Sequence, residues 1–146
     1  MKHSRILFLF VIALPVLLSS CDYRDGLVKQ LKGQWRFSIG DNKDWAKSSF
    51  DDSKWDRMYI PSSWEREGYE GYNGYAWYRK TFRLSKKHDQ GSLYLQLGRI
   101  DDVDEVYFNG VLIGSSGSFP PQYVSAYSVT RRYYIPKDLV KFNGEN

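Results

Sequence analysis

Apolar and polar residues alternate with a period of two in several short stretches of this chain. In residues 34–39 tryptophan, phenylalanine and isoleucine take every second position, and in residues 93–97 leucine does the same. Successive side chains of a β-strand point to opposite faces, so this period indicates strands that bury one face. Further runs predict strands at residues 57–60, 75–84, 105–108, 111–114 and 131–135.

The stretch of residues 92–114 carries the clearest turn signal. Val106 and Phe108 share one face of a short apolar run, and Asn109 and Gly110 separate it from a second run. Asn-Gly between two apolar runs favours a hairpin, because both residues tolerate the positive φ of a type I′ turn. We therefore expect residues 92–114 to form the middle of one antiparallel sheet.

Seven predicted strands without a convincing long helix favour an all-β fold, an antiparallel β-sandwich or jelly roll. At 146 residues the chain has room for one domain with a real core. Residues 143–146 have a turn-like composition and nothing follows them. We therefore expect the domain to lack its last strand or strands.

The N-terminal residues have the pattern of a secretory signal. Charged residues precede an apolar run at residues 6–18, which is short for a helix crossing a core about 30 Å thick. The residues before Cys21 resemble a bacterial lipobox, which implies a signal peptide at residues 1–20 and lipidation of Cys21. A tether at residues 21–30 and a domain at residues 31–146 would follow, held on the bacterial cell envelope. The alternative is an ordinary signal followed by a chance cysteine.

Charge argues against nucleic acid as a partner. The formal charge is +4, and it falls to +2 when Lys2 and Arg5 leave with the signal, with 19 basic against 17 acidic residues. Basic residues occur in pairs and form no run that would follow a phosphate backbone. Cys21 is the sole cysteine, so neither an intrachain disulfide nor a cysteine zinc site is expected.

Four segments, taken in order, resemble the N-terminal sugar-binding domain of glycoside hydrolase family 2, the β-galactosidase and β-glucuronidase group. They are residues 33–37, residues 50–64, residues 75–82 and residues 100–110, the last with a double Asp before Asn-Gly. A similar domain occurs in sialate O-acetylesterase-like proteins. The resemblance implies a galactose-binding-like β jelly roll that packs beside a catalytic domain.

No residue of this chain is expected to be catalytic. In family 2 the resemblance implies that the acid and nucleophile are glutamates of a later (β/α)8 barrel, which needs about 250 residues by itself. A serine hydrolase needs an activated serine, and the chain has no Gly-x-Ser-x-Gly and only His88 after the signal. We therefore expect a non-catalytic module whose parent protein is a glycosidase.

Aromatic residues of the loop at residues 62–77 are the candidates for carbohydrate contact, because sugar C–H faces stack on aromatic rings. Packing is the competing interpretation and the favoured one for the two tryptophans, while Trp35 and Trp55 are assigned to the core. The candidates are Trp64, Tyr72, Asn73, Tyr75 and Trp77.

Acidic residues cluster before the predicted hairpin, at Asp101, Asp102 and Asp104. Asp side chains cap and turn the backbone, which is the favoured role here. Contact with a neighbouring domain or sugar is one alternative. Ca²⁺ ligation is another, because this ion takes six to eight oxygen ligands. No other cofactor is expected.

The favoured function is that of a carbohydrate-binding accessory domain of a family 2-like glycoside hydrolase. Its partners would be carbohydrate, a missing downstream catalytic domain, and the membrane through lipid on Cys21. The alternatives are an accessory domain of a sialate O-acetylesterase-like protein, a stand-alone carbohydrate-binding lipoprotein, or a purely structural domain. The sugar and its linkage do not follow from these patterns.

Overall fold

The structure, a computed structural model, describes residues 28–146. The predicted signal and the lipidation site Cys21 lie outside the described residues. In the part that is described, no helix is both long and apolar enough to cross a membrane.

The described residues form seven strands joined by loops and short 3₁₀ turns, so the predicted all-β class is confirmed. The strands are β1 (Gly33–Ile39), β2 (Asp56–Ile60), β3 (Ala76–Arg79), β4 (Leu93–Arg99), β5 (Asp104–Phe108), β6 (Val111–Ser116) and β7 (Thr130–Ile135). The 3₁₀ turns are Lys43–Ala46, Trp64–Glu67, Lys86–Asp89 and Lys137–Leu139.

Antiparallel pairing arranges the strands in three sheets, with the orders β2-β1-β3, β4-β7 and β5-β6. The expectation that residues 92–114 form the middle of one sheet is wrong, because β4 pairs with β7 while β5 pairs only with β6. The segment between β4 and β5 explains the separation. The carbonyl oxygen of Asp102 accepts a hydrogen bond from the amide of Ala126 at 2.9 Å and another from Arg131. This carbonyl is therefore bonded to the loop before β7 and to β7 itself.

The predicted hairpin is confirmed at β5 and β6. Asn109 and Gly110 both have positive φ, 49° and 88°, as a type I′ turn requires. The side-chain amide of Asn109 also donates to the carbonyl of Leu139 at 2.8 Å and to Asn146 Oδ1 at 3.0 Å. One residue thus makes the turn and holds the C-terminal segment.

The core face of the first sheet is aromatic. Phe37 and Met58 are 0% and 1% exposed, and the Phe37 ring lies 4.6 Å from Tyr69 and 5.0 Å from Tyr78 between centroids. Two tryptophans assigned to the core, in β1 and just before β2, are only half-buried. Trp35 Nε1 donates to the carbonyl of Leu31 at 2.8 Å, and the Trp55 ring lies 5.0 Å from that of Trp45.

β3 is shorter than predicted, because it ends at Arg79 and not at residue 84. The next residues leave the sheet and pair with the C-terminal segment, Leu84 with Phe142 and Arg83 with Glu145. The turn before residue 145 contains Asn143 with φ of 61°. The turn-like C-terminal sequence therefore returns the chain along residues 82–84.

A buried ion pair joins β5 to β7. Arg131 is 1% exposed and Asp104 is 8% exposed, and Nε of the arginine lies 2.6 Å from Oδ1 of the aspartate. The guanidinium also donates to the carbonyls of Val129 and Asp102, while the Tyr133 hydroxyl donates to Asp104 Oδ2. Buried charges are tolerated when they are paired and fully hydrogen-bonded, and this network satisfies both conditions.

Arg131→Met is expected to lower the free energy of unfolding by about 3–5 kcal/mol, because it leaves the Asp104 carboxylate buried without its partner. Urea unfolding at neutral pH measures the loss. Arg132→Met is the matched control, since Arg132 is exposed and lies 3.9 Å from the Tyr94 ring. Its expected loss is about 1 kcal/mol or less. Equal losses in the two variants would contradict a structural role for the buried pair.

Candidate functional site

Trp64 begins the 3₁₀ turn that follows β2, and Gly68 ends that turn with φ of 96°, a value that favours glycine. This turn brings the indole against the core face of the first sheet. Its ring lies 6.4 Å from Phe37 and 5.4 Å from Tyr72, and its Nε1 donates to the Tyr78 hydroxyl. Burial raises the pKa of Tyr78, so that hydroxyl stays protonated. Trp64 is thus a packed, hydrogen-bonded residue.

Trp77 lies on the opposite face of the same sheet, because it precedes Tyr78 in β3 and side chains alternate along a strand. Its Nε1 donates to Asp41 Oδ1 at 3.0 Å, and its ring stacks on Tyr107 at 5.6 Å with an interplanar angle of 27°. The edge of Trp45 closes one side at 6.2 Å. The two candidate tryptophans therefore cannot belong to one platform.

The other three candidates lie around the loop between these faces. The Tyr72 hydroxyl donates to the carbonyl of Tyr75 at 2.8 Å, and the Asn73 amide donates to the carbonyl of Gly71 at 3.2 Å. Tyr75 is exposed, with its ring 5.2 Å from Phe119. The structure thus brings Trp64 together with Tyr72, and it places Asn73 in a local turn.

Charged residues contact Trp77 and its stacking partner Tyr107. We call the group of Trp77, Tyr107, Glu105, Lys43 and Asp41 the Trp77 cluster. Glu105 Oε2 accepts from the Tyr107 hydroxyl at 2.7 Å and from the Lys43 ammonium. The hydrogen bond from Lys43 lowers the pKa of Glu105, and the same bond raises the pKa of Lys43. Both groups are therefore charged at neutral pH, beside a half-buried aromatic pair.

Sequence reasoning missed most of the Trp77 cluster. Glu105 and Tyr107 alternate with buried residues in β5, so their shared outward face was available from the period of two. Asp41 and Lys43 come from the loop after β1, more than 60 positions away in the chain from Glu105 and Tyr107. Only the folded structure brings that loop to β5.

The acidic candidates have separate surroundings. Asp104 is buried in the ion pair with Arg131, while Asp102 accepts from the Ser125 hydroxyl at 2.6 Å. That bond from Ser125 lowers the pKa of Asp102, and the hydrogen bond between the two carboxyl groups raises the pKa of Asp101. Among residues 28–146, no three or more His, Cys, Asp or Glu side chains are grouped to hold a metal ion.

His88 is buried in the third 3₁₀ turn, where Nδ1 lies 3.1 Å from the Ser85 hydroxyl. The same nitrogen lies 3.1 Å from the Ser85 carbonyl, so the contact is local to one turn. The ring is therefore bonded to Ser85, the residue that precedes the turn. Its geometry is that of a structural histidine.

Comparison with known proteins places this fold in larger enzymes. No protein-family model matches the chain. A protein of Formosa agariphila described as a β-glucuronidase is 27% identical over 152 aligned positions, which are 93% of this chain and 14% of that protein. A β-galactosidase of Bacteroides ovatus is 32% identical over 93 residues, 55% of this chain and 11% of the enzyme.

Solved structures show the same fold. A β-glucuronidase of Bacteroides uniformis superposes with a TM-score of 0.63 and 23% identity, over 80% of this chain and 13% of that one. A glycosyl hydrolase family 2 member from Bacteroides cellulosilyticus gives a TM-score of 0.59 at 23% identity, over 80% and 16% of the two chains. The predicted resemblance is confirmed, and the chain spans about 11 to 14% of the curated relatives that it matches.

The hydrogen bond from Trp64 to Tyr78 is expected to stabilise the fold by about 1 kcal/mol. Trp64→Phe and Tyr78→Phe each remove it while keeping an aromatic ring. Since both remove one bond, the losses of unfolding free energy should not add in the double variant. Urea unfolding of the four proteins measures the coupling. Full additivity would show that Trp64 is not held by this contact.

Proposed function

We propose that this chain, whose homologues are β-glucuronidases and β-galactosidases of glycoside hydrolase family 2, is a non-catalytic accessory domain of a larger glycosidase. Coverage is the observation that supports the proposal, because 93% of the chain matches only 14% of the Formosa agariphila relative. A galactose-binding-like jelly-roll topology for the complete domain belongs to the same proposal. The parent protein would hydrolyse O-glycosyl bonds in carbohydrates.

Charge pairing supports a non-catalytic role. Glycoside hydrolysis uses two carboxyl groups on either side of the scissile bond, about 5–10 Å apart. Several carboxylates in this chain are instead neutralised by nearby cations. Asp104 pairs with Arg131, Glu105 with Lys43 and Asp52 with Arg79. These side chains organise the fold and are poorly suited to exchange protons with a substrate.

The Trp77 cluster is the proposed point of carbohydrate contact. Sugar rings combine C–H faces, which pack on aromatic rings, with hydroxyl groups, which need polar partners. The indole and phenol of Trp77 and Tyr107 supply the aromatic surface, and Asp41, Lys43 and Glu105 supply charged hydrogen-bonding groups. Trp64 is less suited, because its ring packs against Phe37 and Tyr72 at the aromatic core.

A second surface suits contact with the rest of the parent protein. The loop before β7 exposes four large apolar side chains, namely Tyr123, Val124, Tyr127 and Val129, all of which are about half or more exposed. Clustered exposed apolar residues often mark protein interfaces. In the proposed parent enzyme this loop would be covered by a neighbouring domain, so the accessory domain would also buttress the catalytic one.

The native gene product is expected to be several times larger than the 17.1 kDa of this chain and to hydrolyse an aryl β-glycoside. The chain alone should show no hydrolysis, because Asp104, Glu105 and Asp52 of the described residues are each paired with a cation. An immunoblot with antibody against this domain and a chromogenic assay measure the two properties. A native band near 17 kDa, or hydrolysis by the chain alone, would overturn the proposal.

We also propose that the parent protein is anchored in the bacterial cell envelope through lipid on Cys21. Each buried methylene of an acyl chain adds about 0.8 kcal/mol of membrane affinity, and more than one chain is needed for firm anchoring. Cys21→Ser should therefore move the protein from the membrane fraction to the soluble fraction. Ser20→Ala is the matched control and should leave the protein in the membrane fraction. Unchanged fractionation of Cys21→Ser would contradict lipid anchoring.

A further inference from the structure

Three arginines lie side by side across the first sheet, on the face opposite the aromatic core. In the strand register Arg36 of β1 stands opposite Arg57 of β2 and opposite Arg79 of β3. Like charges in directly opposed cross-strand positions destabilise a sheet. Negative charge from another part of the protein or from a ligand would therefore stabilise a row of this kind.

The fold offsets only one end of this row. Asp52, from the loop between β1 and β2, lies 2.9 Å from Arg79 Nε and 3.7 Å from Arg36 Nε. Arg36 also donates to the carbonyl of Trp55 at 3.2 Å. Among the described residues Arg57 contacts only an uncharged acceptor, Gln34 Oε1 at 3.2 Å. The excess positive charge is therefore greatest at the β2 end of the row.

A cleft of about 200 Å³ opens beside the row. Four cationic side chains line it, together with Gln34, Trp35 and Thr81; the cations are Arg36, Arg57, Arg79 and Lys80. A cavity of about 150 Å³ is enough to hold benzene, so this cleft has room for one six-membered ring. Arg36 and Arg79 are only 29% and 18% exposed, so their charges act more strongly than those of free surface arginines.

We propose that this cleft binds one anionic sugar residue through its carboxylate or sulfate group. The planar guanidinium of arginine presents paired N–H donors that match both of these oxyanions. Gln34 and Thr81 supply uncharged polar groups suited to sugar hydroxyls. The choice of a sugar over another organic acid rests on the proposed function. The cleft itself is distinct from the Trp77 cluster, whose aromatic pair lies at β3 and β5.

The experiment is a titration of the chain with glucuronate, glucose 6-sulfate and glucose at low ionic strength, followed by calorimetry and by amide chemical shifts. The two anions are expected to bind and to shift the amides of Gln34 and Thr81, whereas glucose should not. Binding of one anion alone identifies the oxyanion that the cleft takes. Binding should weaken as salt is added, because the cleft is partly open to solvent.

Arg57→Gln is expected to weaken binding at least about tenfold, because it removes a charged donor that no carboxylate of residues 28–146 pairs with. Arg57→Lys should recover part of the affinity, since it restores charge without the paired donors. Arg99→Gln is the matched control, because Arg99 is an exposed residue of β4 in another sheet. It makes the same change in net charge and should leave binding unchanged. Circular dichroism of each variant confirms that the fold is retained.

Several results would overturn the inference. They are equal binding of glucose, equally tight binding of acetate or inorganic sulfate, and unchanged binding by Arg57→Gln. An acidic side chain from the rest of the parent protein is the rival occupant. In the native gene product, phenylglyoxal should modify Arg57 unless the anionic sugar is added. If Arg57 resists phenylglyoxal without added sugar, another part of the protein fills the cleft.

Failure of this inference can be told apart from failure of the proposed function. A large native product that hydrolyses aryl glycosides would support the accessory role, even if the chain bound neither anion. Conversely, anion binding by a native product of only 17 kDa would support the anion-binding cleft and contradict the proposal that the parent protein is a glycosidase.

Discussion

The buried ion pair between Arg131 and Asp104 holds the later half of the structure together. It links β5 to β7, and its remaining donors bind the carbonyls of residues 102, 126 and 129. The loop before β7 carries exposed apolar side chains, and this network binds the backbone of that loop at residues 126 and 129. A surface proposed for docking is thus positioned by a polar core, and no buried side-chain nitrogen or oxygen of the described residues lacks a hydrogen-bond partner.

A second constraint is the alternation of side chains along β3. Trp77 and Tyr78 are neighbours in sequence, yet they point to opposite faces of a three-stranded sheet. One face becomes the aromatic core around Phe37, where Trp64 packs and bonds to the Tyr78 hydroxyl. The other face is left with Trp77 and the arginine row, where the loop between β1 and β2 only partly covers it. The three arginines and Trp77 therefore lie on the same side of the first sheet.

These two faces suggest how a small module can serve a larger carbohydrate-active protein. The relatives are six to nine times longer than the matched segment. An aromatic pair beside a charged lysine and glutamate suits neutral sugar surface. A partly enclosed arginine cleft suits an anionic group, because guanidinium pairs geometrically with oxyanions. The two features meet at β3, which carries both Trp77 and Arg79, while Tyr107 and Glu105 belong to β5 of another sheet.

The sequence by itself determined the seven strands, the Asn-Gly hairpin and the family resemblance. These follow from local period, from residues that tolerate positive φ, and from ordered motifs. Only the tertiary structure decided that β4 pairs with β7, that Asp41 and Lys43 reach β5, and that Arg57 and Arg79 flank Arg36. Each of these depends on which distant segments pack together, and packing is set by the summed burial and pairing of the whole chain. A local sequence pattern therefore does not predict which distant segments pack together.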